Sequence, residues 1–233
     1  MAAAANLVDL IEPVVSDIKD VAIRNIYRDT ALHLAARWSH VTAGKILRGK
    51  GADQDAKNES GKTPLFEAAS SGNLEFVEWL LDEGVDLGKK EDRGALQAAS
   101  LGGYESVVEI LLGAGADVNA QGGRYGLPLL AAIHEGYVDQ VQILLHAGAD
   151  SLLADELGRT PLHIAASKNK LHILRRFPQL LSALNKRSDF LQTPLHLAVC
   201  LGHIEFAIGL LNSGADPSLP DSYRNMLWLG VRS

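Results

Sequence analysis

The chain repeats itself at a nearly fixed period, and that constrains its fold more than any other feature of the sequence. Thr30-Ala31-Leu32-His33 recurs as Thr63-Pro64-Leu65-Phe66, Gly94-Ala95-Leu96-Gln97, Leu127-Pro128-Leu129-Leu130, Thr160-Pro161-Leu162-His163 and Thr193-Pro194-Leu195-His196. The steps between the leucines are 33, 31, 33, 33 and 33 residues. A second marker keeps the same register: Gly51-Ala52-Asp53, Gly84-Val85-Asp86, Gly115-Ala116-Asp117, Gly148-Ala149-Asp150 and Gly214-Ala215-Asp216. The fifth copy has Leu181-Ser182-Ala183 where this marker should fall. Two markers in step imply a stack of small units, each burying its apolar face only against its neighbours.

Local chemistry explains the markers. Threonine at the head of a unit can cap a helix by accepting from an orphan N–H, and the following proline has φ preset for the first helical position. Leu65, Ala68 and Ala69, or Leu162, Ala165 and Ala166, then form one apolar stripe with small residues that permit close helix approach. A second, more apolar helix follows, as in Phe76, Val77, Leu80 and Leu81, and a glycine such as Gly84 or Gly148 ends it with a left-handed cap.

The 33-residue period with its Thr-Pro-Leu-His signature resembles the ankyrin repeat family, and the resemblance covers about residues 18 to 233. It implies an all-α solenoid of stacked helix-turn-helix units with projecting turn or β-hairpin fingers, forming one elongated, slightly curved domain over 1–233. Residues 1–24 are then an N-terminal cap, the repeats fall at about 25–57, 58–88, 89–121, 122–154, 155–187 and 188–220, and 221–233 form a truncated C-terminal repeat. The middle copies, around Gly94 to Ser100 and Val118 to Gly126, are similar in wording to ankyrin arrays of filamentous fungi.

Two departures are expected to disturb the stack. The third copy begins two residues early, which predicts a clipped finger around Leu87 to Arg93. In the fifth copy Pro178 follows Leu171, Ile173, Leu174 and Phe177, so the second helix should end about a turn early and residues 178 to 190 should bulge.

Composition narrows the function classes. Lys and Arg number 22 against 28 Asp and Glu, a formal charge of −6, so no general positive field attracts nucleic acid. A single cysteine, Cys200, forms no internal disulfide and agrees with a cytoplasmic or nuclear location. The first residues lack the basic region of a secretory signal, and charges or glycines interrupt every apolar run well short of a membrane span, so a soluble protein is expected.

Catalytic candidates are weak. His33, His163 and His196 occupy the fourth signature place, where the ring can bond the threonine of its own turn and nearby backbone. They lie in separate repeats, so no metal site is expected, and no cofactor. His134 and Glu135 stand at a variable place, but adjacent helical residues do not face each other. Cys200 reads as a small hydrophobe rather than a reactive thiol.

The positions that the repeat leaves free are finger tips and the edges of first helices, and these are the candidate partner-binding residues. They include the aromatics Tyr27, Trp38, Tyr125, Phe190 and Tyr223, of types common at interface hot spots. They also include the cations Arg37, Lys62, Arg93, Arg124, Arg159 and Lys168, together with His134 and Glu135. The expected function is a non-catalytic protein-interaction module, taking a protein or peptide on its concave groove and finger tips, with neither nucleic acid nor membrane as partner. One alternative is a small-molecule binder or unusual enzyme with a groove pocket at Trp38, Tyr125, His134 and Glu135.

Another alternative is self-association through the apolar end Met226-Leu227-Trp228-Leu229, where a terminal repeat needs a polar face. That reading predicts a solution mass that rises with concentration and reverts to monomer with Trp228→Asp, as measured by sedimentation or light scattering.

Overall fold

Each first helix begins where extended backbone meets a threonine. In the computed structural model, which describes residues 20–87, 93–122 and 125–221, Thr30, Thr63, Thr160 and Thr193 all sit in extended conformation at the N-cap. The Thr63 hydroxyl accepts from the Phe66 N–H at 3.2 Å, and Thr193 from His196 at 3.3 Å. Proline follows at the first helical position in three of these four, where a missing N–H costs nothing.

The chain divides into two compact units, Met1–Asp117 and Val118–Ser233. In the first, helices α1 (Ala31–Arg37), α2 (Val41–Gly49), α3 (Pro64–Ser70), α4 (Leu74–Asp82), α5 (Arg93–Gly102) and α6 (Glu105–Gly113) form three antiparallel pairs. First helices pack side by side in sequence, α1 on α3 and α3 on α5, while each second helix covers its own first helix. Leu32, Leu65 and Leu96 lie at equivalent places and are all within 2% of complete burial. The small partners Ala36, Ala69 and Ala99 are fully buried and allow the first helices to close on each other.

Second helices meet through larger side chains. On α4, Phe76 is fully buried and packs edge-on against Trp79 of the same helix, with ring centroids 4.9 Å apart, and the two rings together face α2. A Cβ on Gly44 would stand 2.7 Å from the Trp79 ring, so glycine in α2 is what admits α4 at this distance.

In the second unit the pairs are α7 (Pro128–Glu135) with α8 (Val138–His146), α9 (Pro161–Ser167) with α10 (Leu171–Arg176), and α11 (Pro194–Cys200) with α12 (Ile204–Asn212). As Pro178 predicts, α10 stops at Arg176, and a 3-10 segment, Pro178–Ala183, takes the place of its last turn. This segment is not a free bulge, because Leu180 and Ala183 are buried in the core. Register is regained by Asn185, which accepts from the Asp216 N–H at 2.9 Å just as Asn119 accepts from Asp150 at 2.9 Å.

The fingers are turns rather than β-hairpins. Among the described residues no strand forms, and the backbone shows only isolated bridges, Arg24 with Thr30 and Gly122 with Gly126. Each tip closes instead with one N–H to C=O bond across five residues: Asn25 to Asp29, Asn58 to Lys62, Asp155 to Arg159 and Ser188 to Gln192, at 2.9 to 3.1 Å. Asn25, Asn58 and Asp155 each accept two further backbone N–H bonds on Oδ1, which is why short polar residues stand there. The expected clipped finger falls largely on residues 88–92, and the apolar end at Met226 to Val231, both outside the described residues.

Stability of the first unit should therefore depend on the α2–α4 contact. Phe76→Ala is expected to lower the unfolding free energy by about 3–5 kcal/mol, and Glu75→Ala on the exposed face by under about 0.5 kcal/mol. Urea denaturation followed by circular dichroism measures both.

Candidate interaction surfaces

The signature histidines are built into the stack. His33 Nδ1 lies 2.8 Å from Thr30 Oγ1 and accepts from the Thr30 N–H at 3.2 Å, so Nε2 carries the proton and donates to the Lys62 carbonyl at 2.9 Å. The same relay joins Thr160, His163 and the Gln192 carbonyl, at 3.0 Å for the last bond. Thr193 and His196 repeat the first half, and His196 Nε2 is buried without a partner among the described residues.

A second set of inter-repeat bonds starts from the residue before each second helix. Asn73 donates to the Ala36 and Arg37 carbonyls at 2.7 and 2.9 Å, Lys170 to Glu135 at 2.7 Å, and His203 Nδ1 meets the Ala166 carbonyl at 2.8 Å. His203 thus stands at the start of α12 and ties it to the first helix of the preceding unit.

Arg37 is held by its own unit. Its guanidinium pairs with Asp29 at 3.2 Å and Glu67 at 3.1 Å, and Asn58 donates to the same two carboxylates at 2.8 and 3.3 Å. The Asp29 and Glu67 side chains are almost wholly buried. Burial alone would raise the Asp29 pKa, but the Asn58 bond, the Arg37 charge and the Asn25 bond together hold it below the ordinary aspartate value. This network was not legible in the sequence, because its members come from different repeats and only the folded register brings them together.

The other cations on the candidate strip have varied surroundings. Arg159 pairs with Asp155 at 2.6 Å, and Lys62 stands 4.7 Å from the centre of the Phe66 ring. Lys168 is exposed at the end of α9. Arg93 opens α5, although its side chain, like Arg124 and Tyr223, is outside the described residues.

In the second unit Tyr125 stacks on His134 with centroids 4.4 Å apart, and His134 Nδ1 meets Glu135 Oε1 at 2.8 Å. The sequence reading that adjacent residues cannot face each other fails here, because both lie at the last turn of α7, where the side chains can converge beyond the helix end. Cys200 is exposed at the end of α11. No group of three His, Cys, Asp or Glu among the described residues could hold a metal ion, and no helix there is long and apolar enough to cross a membrane.

The tips differ in what they display. At Asn58 to Lys62 and Asp155 to Arg159 the fourth tip position is Gly61 or Gly158, with φ of 71° and 69°. The same position holds Arg28 (φ 59°) in the first finger and Leu191 (φ 56°) in the last, where a side chain is disfavoured. Those two strained tips each carry two exposed apolar side chains, Ile26 and Tyr27 at 84% and 61% exposure and Phe190 and Leu191 at 54% and 42%, whereas the Gly158 tip carries one, Leu157, at 42%. Trp38, at the end of α1, is 68% exposed, whereas Trp79 is buried. Tyr27, Trp38 and Phe190 were expected at these places, while Ile26 and Leu191 were not.

The family model described as ankyrin repeats in three copies matches residues 1–91, 45–122 and 129–221. The chain belongs to the ankyrin repeat family. Relatives of this ankyrin chain include a transient receptor potential cation channel subfamily A member 1 homolog of Caenorhabditis elegans, 36% identical over 44% of the chain and 9% of the channel protein. Human NF-kappa-B inhibitor alpha is 31% identical over 48% of the chain and 38% of the inhibitor. The chain thus spans less than half the length of these relatives. Among solved structures, the human ASB11 ankyrin repeat domain is similar with a TM-score of 0.79 and 27% identity, covering 93% of this chain and 97% of that one.

The ankyrin histidines make stability depend on pH. Burial holds the His33 and His163 pKa below the ordinary imidazole value, against the opposing effect of the carbonyl bonds. The folded state therefore binds fewer protons than the unfolded chain. This contribution is complete above about pH 6.5 and is lost as pH falls through the depressed folded values. Urea midpoints are expected to decline from pH 7 towards about pH 5. His33→Leu with His163→Leu should lower the midpoint at pH 7 and flatten the slope in that window.

Proposed function

We infer that this ankyrin chain is a non-catalytic binding module that holds a protein partner through finger tips and first-helix ends. Ankyrin repeat arrays and relatives such as the NF-kappa-B inhibitor are protein-interaction modules. What carries the reading to particular residues is the pair of strained tips. A non-glycine residue in left-handed backbone costs on the order of 1 kcal/mol. Arg28 and Leu191 accept that cost where two other fingers use Gly61 and Gly158, and each strained tip exposes two large apolar side chains, against Leu157 alone at the Gly158 tip. Strain and apolar exposure together reduce stability and solubility, and a partner surface that covers the tip compensates both.

Within the first unit Tyr27 and Trp38 supply rigid, exposed aromatic area, and within the second Phe190 and Leu191 do so. Arg37 takes part as the residue that fixes Asp29 and α1 behind this surface. Tyr125, His134 and Glu135 form a polar, partly exposed cluster suited to hydrogen bonding at the rim. A compartment without disulfide chemistry, cytoplasm or nucleus, suits the single free cysteine.

Affinity capture from native extract tests the reading, with wild type compared against Tyr27→Ala/Trp38→Ala and against Phe190→Ala/Leu191→Gly. The last change relieves backbone strain, so that variant should be at least as stable as the parent in a thermal melt. A protein retained in stoichiometric amount by wild type and lost from either variant is expected. Equal retention by all three chains would refute it.

A further inference from the structure

The fifth repeat has a charge that the rest of the chain does not. Between Leu157 and Ser188 the sequence has seven Lys and Arg and no Asp or Glu, in a chain whose formal charge is −6. Of these cations only Arg159 meets a carboxylate among the described residues. Lys170 and Lys186 donate to the Glu135 and Leu152 carbonyls, Arg176 to the Gln142 amide oxygen, and Arg187 to the Leu191 and Pro220 carbonyls. Neutral acceptors leave the positive charge uncompensated. Arg175 and Arg176 stand in the last turn of α10, where the helix dipole favours a cation, but that effect needs no more than one.

This charge borders a cleft created by Pro178. The proline ends α10 after six residues while its neighbour α12 runs for nine, so α12 loses cover along its outer side. The result is a depression of about 480 Å³ with Leu171, Leu174, Arg175 and Pro178 on one wall and Ile208 on the other. Ile208 remains 50% exposed. A smaller cleft of about 270 Å³ with Arg176 and Phe177 in its wall flanks α10 on its other side. The two arginines thus top a ridge between two hollows.

We propose that this ridge and its larger cleft, on the outer helices and apart from the finger tips, dock an acidic segment of a partner protein that carries one large apolar residue. The apolar residue enters against Leu171, Leu174 and Ile208, and flanking carboxylates pair with Arg175 and Arg176. Phosphate-backbone ligands fit less well. Glu205 on the α12 side repels any anion near it, which confines the segment's carboxylates to the arginine side and disfavours an unbroken run of phosphates. Phe177, the aromatic ring beside the arginines, is buried and offers no face on which a base could stack.

The probe is a fluorescein-labelled peptide of glutamates and aspartates around one central leucine, titrated by anisotropy against the whole chain at low and moderate salt. Saturable binding is expected, weakening with salt and falling by roughly tenfold or more with Arg175→Glu/Arg176→Glu. Ile208→Ser should also weaken it, whereas Phe190→Ala/Leu191→Gly should not, which separates this site from the finger tips. All substituted residues are side chains at the surface, and unchanged circular dichroism confirms folding. Four results would each overturn the proposal: no saturable binding, full affinity in the charge-reversed variant, equal binding of the peptide with glutamine for every acid, or tighter binding of a single-stranded oligonucleotide of equal charge.

Discussion

The bond that His33 donates to the Lys62 carbonyl, and its counterpart from His163 to Gln192, is the interaction on which the repeat geometry depends. It joins a buried ring to a carbonyl 29 residues away, in the turn that starts the next unit, so it fixes the spacing from one first helix to the next. Hydrophobic burial provides most of the stabilising free energy but is non-directional, and a leucine stripe alone would tolerate sliding. The buried imidazole has a single productive geometry: Nδ1 must face the threonine and Nε2 the next turn. Either bond left unmade in that setting would cost about 1–3 kcal/mol, which makes an incorrect register unfavourable.

With spacing fixed from inside, variation is confined to what the stack does not use. The tips close by the same backbone bond whatever they carry, from Glu59-Ser60-Gly61 to Asp189-Phe190-Leu191. Arg28 and Leu191 show that the closing bond tolerates a strained residue at the glycine position. The scaffold can therefore display apolar side chains there without altering the helices behind. The Asp29, Arg37, Glu67 and Asn58 network has the opposite character, since it is buried, mutually satisfied and rigid. It braces the first finger against two helices and leaves Tyr27 and Trp38 outside it.

The period, the caps and the shortened α10 were all legible in the sequence, because each depends on residues close together in the chain. Thr160-Pro161 marks a helix start by local hydrogen bonding, and Pro178 ends one by its missing N–H. The ion pairs of Arg37 were not legible because its partners lie eight residues back in the first finger and thirty residues on in α3, whose proximity only stacking creates. The Arg159–Asp155 pair was not legible for a different reason: Asp155 is only four residues away, but the intervening turn, not a helix, brings them together. The acid-free run from Leu157 to Ser188 is present in the sequence but distributed over two helices and the turns between them, so no single repeat position reveals it.

That run coincides with the irregular repeat for a physical reason. In a regular unit the second helix packs along its whole length on its neighbours, and a pair of arginines at its end would have to share space with the next helix. Ending α10 early removes that constraint, and the 3-10 segment restores the core with Leu180 and Ala183 without rebuilding the missing turn. Asn185 then returns the chain to register, so the irregularity stays local and the Thr193 and His196 signature follows on schedule. A stack held by nearest-neighbour contacts can absorb such a defect because no distant contact depends on the altered turn. A protein with one central core would transmit it, and that difference explains how a single proline can open a charged cleft here while both flanking repeats keep their form.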